Sequence, residues 1–262
     1  MHGLLLHKKY VQKAVAVFLF GVTIALLCPV FVTLAHNDEW GIYFEVPGEK
    51  PEIDIGEDVL SAYDAYYMGD GVTKDIYLTF DAGYENGLTP GILDILQNNG
   101  VPAAFFMTGI YIRENPEIVK RIVNEGHIVG NHSMTHPENY VVEDKEELRK
   151  QLTLTEDEYK KATGLKMQKY YRPPCGKFNT NSLRAAQELG YKTIFWSIAY
   201  HDYDEYNQPS EWTALKTLTS YAHPGAVMLL HNMSRTNLSI LDELINRYKQ
   251  EGYTFKRLDD LA

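Results

Sequence analysis

Two cysteines in 262 residues are too few for a disulfide framework. Cys28 lies in an apolar leader and Cys175 stands alone in the body, so an exported form has no pair to bridge within itself, and stability must come from a core. No cluster of Lys or Arg occurs beyond the first few residues, and 35 acidic residues against 25 basic ones give a formal net charge of −10. A surface that tracks phosphates is therefore absent, which argues against nucleic acid as a partner. The chain also lacks a phosphate-cradling glycine loop, an internal repeat and any low-complexity tract, so neither a nucleotide site nor a solenoid is indicated.

What is present begins with a basic and then apolar N-terminus. Lys8, Lys9 and Lys13 precede a run from Ala14 to Ala35 broken only by Gly21, Thr23, Pro29 and Thr33. Residues 1–35 are expected to be a targeting segment, and the chain to be exported. Thr33 and Ala35 suit the small positions before a cleavage site, while about 22 apolar residues also suffice to span a bilayer with the basic side in the cytoplasm. Cleaved signal and N-terminal anchor both stay open. Leu26 and Leu27 ahead of Cys28 argue against lipidation.

Residues 36–73 read as an ordered extension with little regular structure that packs on the larger domain: Trp40, Pro47 and Pro51 precede a polar-aromatic stretch through Ser61, Tyr63, Tyr66 and Tyr67. From 74 to 262 short β-rich runs alternate with amphipathic segments, the pattern of a parallel sheet with crossover helices. Seven strands are expected, at 76–80, 103–108, 127–130, 169–171, 192–197, 226–230 and 253–256, each short and mostly apolar. Helices are expected at 90–98, 116–125, 145–162, 181–189, 211–221 and 239–250, with Gly100, Gly126, Gly164, Gly190 and Gly252 at or after their ends. The fold class is α/β, a distorted or incomplete (β/α) barrel of about seven parallel strands, preferred over an open doubly wound sheet.

In such folds function gathers at the carboxyl ends of strands. Asp81, His132, Arg172 and His231 each follow an apolar strand, so they point to one mouth. His132 and His136 are four apart, which brings both imidazoles to one face if the segment makes a helical turn, and such pairs bind zinc or a similar ion; two surface histidines are the plain alternative. Asp81, followed by a glycine-bearing turn, suits a general base, although it could instead cap the next helix. His231 can give a proton to a leaving amine, or be a satisfied structural histidine. Arg172 opens Arg-Pro-Pro-Cys-Gly, where stiff prolines fix a guanidinium able to orient a carboxylate through two hydrogen bonds. Cys175 raises a thiol-nucleophile reading that needs an activating environment. His127, His201 and His223 have no spacing argument of their own.

With these residues assembled, the chain from about Asp75 onward resembles the polysaccharide deacetylases of carbohydrate esterase family 4, the NodB homology domain. The motifs that carry the likeness are Thr79-Phe-Asp81, His132-Ser-Met-Thr-His136, Arg172-Pro-Pro-Cys-Gly176, Asp202 after the Trp196 strand, and Leu229-Leu-His231. Within that family it is similar to the delta-lactam-biosynthetic de-N-acetylases, through Tyr63-Asp-Ala-Tyr-Tyr67, the stretch from Thr79 to Gly87, Arg172-Pro-Pro174 and His223-Pro-Gly225. The resemblance implies hydrolysis of the N-acetyl group of N-acetylmuramic acid in peptidoglycan, leading to the muramic delta-lactam of the spore cortex. It implies Asp81 as base, His231 as acid, Arg172 and Asp202 as their partners, His132 and His136 as ligands of a divalent metal, zinc first, and Tyr84, Glu85, Asn86, Pro174 and Trp196 against the substrate. It also implies a monomer that meets a glycan strand and touches membrane only through its N-terminus.

One position departs from the family. The residue after Asp81, usually a second metal-binding Asp, is Ala82, which has no oxygen to offer. Metal identity and dependence are thereby left open. Two other readings remain: a deacetylase of N-acetylglucosamine in a glycan, and a glycan-binding pseudoenzyme.

Overall fold

The structure is a computed structural model that describes residues 38–137 and 144–261. The expected leader at 1–35 lies outside the described residues, among which no helix is long and apolar enough to cross a membrane. In chain order, β1 (Asp38–Glu39), β2 (Ile42–Tyr43), β3 (Glu52–Ile53), α1 (Glu57–Ala62) and β4 (Ala65–Tyr66) come first. They are followed by β5 (Asp75–Ala82), α2 (Thr89–Asn99), β6 (Ala104–Met107), α3 (Gly109–Glu114), α4 (Pro116–Asn124) and β7 (Ile128–Asn131). Beyond these lie α5 (Lys145–Thr163), β8 (Tyr170–Tyr171), β9 (Lys177–Phe178), α6 (Thr180–Glu188) and β10 (Lys192–Ile194). The chain finishes with α7 (Glu211–Ser220), β11 (Ala226–His231), α8 (Arg235–Gln250) and β12 (Thr254–Phe255).

Eight strands form one sheet in the order β11-β5-β6-β7-β8-β10-β4, with β12 beside the start of β5, and every pairing in it is parallel. The seven expected strands are all there. The eighth, β4, comes from the stretch read as irregular: Ala65 and Tyr66 pair with Thr193 and Ile194. A two-residue strand offers no period to read. Ile198, beyond β10, bridges Met228 of β11, so the ends of the sheet meet and the whole curls into a distorted barrel.

Alternation along the strands divides the core in two. Ile76, Leu78, Phe80 and Ala82 of β5 face outward into a layer shared with Leu93 and Leu96 of α2 and Leu241 and Leu244 of α8. Each of these Leu side chains is essentially sealed from water, worth about 1.5–3 kcal/mol apiece. Tyr77, Ala104, Phe106, Ile128, Ile194 and Val227 fill the inside, joined by Leu258 and Leu261 from the C-terminal turn. Gly130 in β7 is required by close approach: a Cβ there would sit 2.6 Å from the Phe106 ring. The short helices α1 and α3, six residues each, were not anticipated because they are too brief to show a 3.6-residue period. The last long helix starts at Arg235, four residues before the expected start, because the Ser234 hydroxyl caps it by accepting from the Asn237 N–H.

Candidate active site

Asp81, on the inward face of β5, is paired in register with His231 of β11 and lies beside Phe106 of β6. Arg172 follows β8 and is completely buried. Its Nη1 donates to Asp81 Oδ1 at 2.8 Å and to Thr79 Oγ1 at 2.9 Å, while Nε and Nη2 donate to the carbonyls of Ile194 and Phe195. The guanidinium lies 4.2 Å over the Phe106 ring, so the charge is satisfied on its edge by oxygens and on its face by a π-cloud. Burial by itself would raise the Asp81 carboxyl, but the charge of Arg172 beside it, with its hydrogen bond, leads the interactions that outweigh burial and hold the group below the ordinary carboxylate value.

The second Asp81 oxygen, Oδ2, faces His132 Nε2 at 3.5 Å. His132 Nδ1 lies 2.8 Å from the Arg172 carbonyl oxygen, which can only accept, so Nδ1 carries the proton and Nε2 presents a lone pair. Burial drives this imidazole down to about 4, with His136 and Arg172 adding to the fall against Asp81, so it is neutral at pH 7. A lone pair and a carboxylate oxygen thus face each other, an arrangement that asks for a cation between them. The His136 ring lies 4.9 Å from that of His132, centroid to centroid.

The two histidines do meet, but not through a helical turn: Ser133 and His136 are left-handed, with φ of 66° and 55°. Neighbouring side chains hold that backbone. Gln151 Oε1 of α5 accepts from the N–H groups of Met134 and Thr135, Asn131 Oδ1 accepts from Ser133 N–H, and Ser133 Oγ accepts from His136 N–H. Among the described residues no group of three or more His, Cys, Asp or Glu is arranged to hold a metal. The donors gathered at this point are the two imidazoles, with Asp81 Oδ2 as the adjoining oxygen. Ala82 belongs to the outward layer and is fully buried there, facing away from the inside to which Asp81 points.

On the other side, His231 Nδ1 donates to Asp202 Oδ1 at 2.7 Å, and Asp202 Oδ2 accepts from the His231 N–H and from Asn237 Nδ2. Burial disfavours the imidazolium, but the Asp202 carboxylate outweighs it and raises His231 above its ordinary value. Asp202 is wholly buried whereas the His231 side chain keeps 23% exposure, so the proton-bearing ring reaches solvent while its partner does not. Asn237, whose Oδ1 accepts from Tyr200 OH, completes this anchor. Neither Asn237 nor Gln151 was singled out in the sequence, since a lone polar residue on a helix carries no pattern.

The residues expected against substrate divide. Tyr84 is 59% exposed on the loop after β5, and Trp196 is half-buried with its ring 5.7 Å from the Arg172 guanidinium carbon. Pro174 is buried at the start of a short turn. Glu85 instead serves the loop: its oxygens accept from Gly87 N–H, from Thr89 N–H and hydroxyl at the α2 start, from Tyr111 OH of α3 and from Asn232 Nδ2. Asn86 Nδ2 donates to the Met233 carbonyl, and its buried Oδ1 has no hydrogen-bond partner. Cys175 is exposed, with φ of 55°. His223 is a satisfied structural histidine between the Tyr221 carbonyl and the Ser197 hydroxyl.

Residues 69–194 match the polysaccharide deacetylase family model. The chain is 41% identical over 225 residues to the peptidoglycan-N-acetylmuramic acid deacetylase PdaA of Bacillus subtilis, covering 85% of this chain and 84% of that one. The solved structure of Bacillus subtilis PdaA, a family 4 carbohydrate esterase, superposes with a TM-score of 0.82 at 40% identity, over 86% of this chain and 97% of that one. A family 4 pseudoenzyme from Bacillus anthracis is also similar, at 31% identity and a TM-score of 0.70, over 75% of this chain and 68% of that one. The chain belongs to the polysaccharide deacetylase family and is a hydrolase that acts on N-acetyl amides.

Proposed function

We propose that the protein removes the acetyl group of N-acetylmuramic acid residues in peptidoglycan, and that the freed amine leads to the muramic delta-lactam of the spore cortex. The observation that carries the reading is the division of labour around Asp81 and His231. One is a carboxylate held ionised by a buried arginine, the other an imidazole whose protonated form a buried carboxylate favours, and they stand side by side on adjacent strands. That is the separation of base and acid that amide hydrolysis needs. The likeness to the Bacillus subtilis N-acetylmuramic acid deacetylase supports the choice of sugar.

In this reading Asp81 takes a proton from the water that attacks the acetyl carbonyl. His231, oriented through Nδ1 by Asp202, gives its Nε2 proton to the sugar nitrogen as the C–N bond breaks, releasing acetate and amine. Arg172 holds the Asp81 carboxylate in one orientation. His132 and His136 would hold a divalent cation, zinc before others, with Asp81 Oδ2 beside it. When bound it would polarise the acetyl carbonyl as a Lewis acid. Tyr84 and Trp196 offer ring faces to the sugar. Residues 1–35 would export the chain or anchor it at the outer face of the membrane, residues 36–73 would be an extension of the deacetylase domain at 74–262, and the protein would act as a monomer.

The test is acetate release with muropeptide mass analysis on peptidoglycan stripped of stem peptides, with intact peptidoglycan and a chitooligosaccharide in parallel. Loss of acetyl from the stripped muramic acid is expected. Turnover of the chitooligosaccharide alone would move the substrate to N-acetylglucosamine, and glycan binding without acetate release, metal added, would replace catalysis by binding.

A further inference from the structure

Trp40 lies outside the matched family model, which begins at residue 69, yet it grips the loop that carries Arg172. Its backbone N–H donates to the Gly176 carbonyl at 3.0 Å, and its indole Nε1–H donates to the Trp196 carbonyl at 2.9 Å. Just before it, β1 pairs antiparallel with β9, just after the loop, in the register Asp38 with Phe178 and Glu39 with Lys177. The indole stacks on Phe195 with centroids 4.4 Å apart and 17° between planes.

The same backbone aims the guanidinium. Arg172 donates to the carbonyls of Ile194 and Phe195, and Trp40 donates to the next one, Trp196, so three consecutive carbonyls at the end of β10 are satisfied by these two side chains together. The fit is close. A Cβ on Gly176 would lie 2.9 Å from Trp40 Cβ and 2.8 Å from Trp196 Cη2.

We infer that Trp40 is a positioning residue for the reaction: it ties the Arg172–Gly176 loop to the Phe195–Trp196 segment, and so sets the direction of the guanidinium that orients Asp81. The inference rests on the role of Asp81 given above. The simpler possibility is that Trp40 only fills the small core it shares with Leu60, Tyr67, Phe178 and Phe195. Leu60 is therefore the control, being 2% exposed in that core, with its side chain purely apolar.

The experiment compares Trp40→Phe, Trp40→Ala and Leu60→Ala in the full chain by kcat and KM for acetate release, melting temperature, and hydrogen–deuterium exchange of the peptide spanning residues 172–178. Trp40→Phe keeps a ring and loses the indole N–H. It is expected to speed exchange in that peptide and to lower kcat about tenfold with KM within about twofold, the pattern of a misoriented catalytic group. Leu60→Ala is expected to lower the melting temperature while leaving kcat and that peptide's exchange at parental values. Should Trp40→Ala not fold, Trp40→Phe decides. Parental kcat and exchange in Trp40→Phe, or changes no larger than those of Leu60→Ala, would overturn the inference. A parent that releases no acetate would count against the proposed reaction instead, and loop exchange would still decide the role of Trp40.

Discussion

Arg172 holds Asp81 by one oxygen: Nη1 lies 2.8 Å from Oδ1, which leaves Oδ2 turned toward His132. A bidentate pair would have consumed both oxygens. The one-oxygen grip lets a buried carboxylate be charged, oriented and still available.

Breaking this pair from either side should have different consequences. Arg172→Met leaves an unpaired buried carboxylate and is expected to lower stability by about 3–5 kcal/mol, read from urea unfolding. Asp81→Asn keeps the shape and loses the base, so acetate release should drop about 10²–10⁴-fold with the far-ultraviolet circular dichroism unchanged. An Asp81→Asn protein at parental rate would exclude Asp81 as the base.

The pH profile should expose the acid. His231 is raised above the ordinary imidazole value, so its working, protonated form persists below that raised pKa and is lost as pH climbs through it. The alkaline limb of kcat should therefore lie above the imidazole reference of about 6.5. Asp202→Asn removes the negative charge that favours the imidazolium, and the limb should move toward lower pH. A limb that stays in place would argue against His231 as its source.

Metal removal should stop the reaction while thiol chemistry should not. A chelator is expected to abolish acetate release and zinc to restore it, with His132→Ala and His136→Ala each weakening zinc binding in a competition titration by at least about tenfold. Iodoacetamide, which would reach the exposed Cys175, is expected to leave activity intact. The reverse result, survival in chelator and loss on alkylation, would support a Cys175 hydrolase.

Gly130→Ala tests the support beneath the site. The added methyl would meet the Phe106 ring that carries the Arg172 guanidinium, so overpacking should cost about 1–3 kcal/mol and lower activity as well. Thermal unfolding beside kcat measures both effects, and a variant with parental values for the two would show that the ring has room to move.

Much of this was legible along the chain. Runs such as Ile76 to Phe80 and Ala226 to Leu230 are apolar throughout because parallel strands are covered on both faces, and that alone marked where Asp81 and His231 leave the sheet. Motif order pointed to the family. The conformation of the His132–His136 turn was not legible, because its left-handed residues depend on Gln151 and Asn131 rather than on glycines. The same holds for Glu85, whose acidity suggested substrate but whose geometry serves the start of α2.

By itself, then, the sequence determined the alternation of strand and helix, the strand ends that bear Asp81, His132, Arg172 and His231, and the charge balance that argues against nucleic acid, since each is a matter of local pattern or composition. Only the tertiary structure decided that β4 joins the sheet, that Ala82 turns to the outer layer, that Asn237 steadies Asp202 and that Trp40 reaches Trp196 across 156 positions of chain. Those contacts are single hydrogen bonds and two-residue pairings between distant segments, and no local periodicity encodes which distant partner a polar group will find once the chain has collapsed.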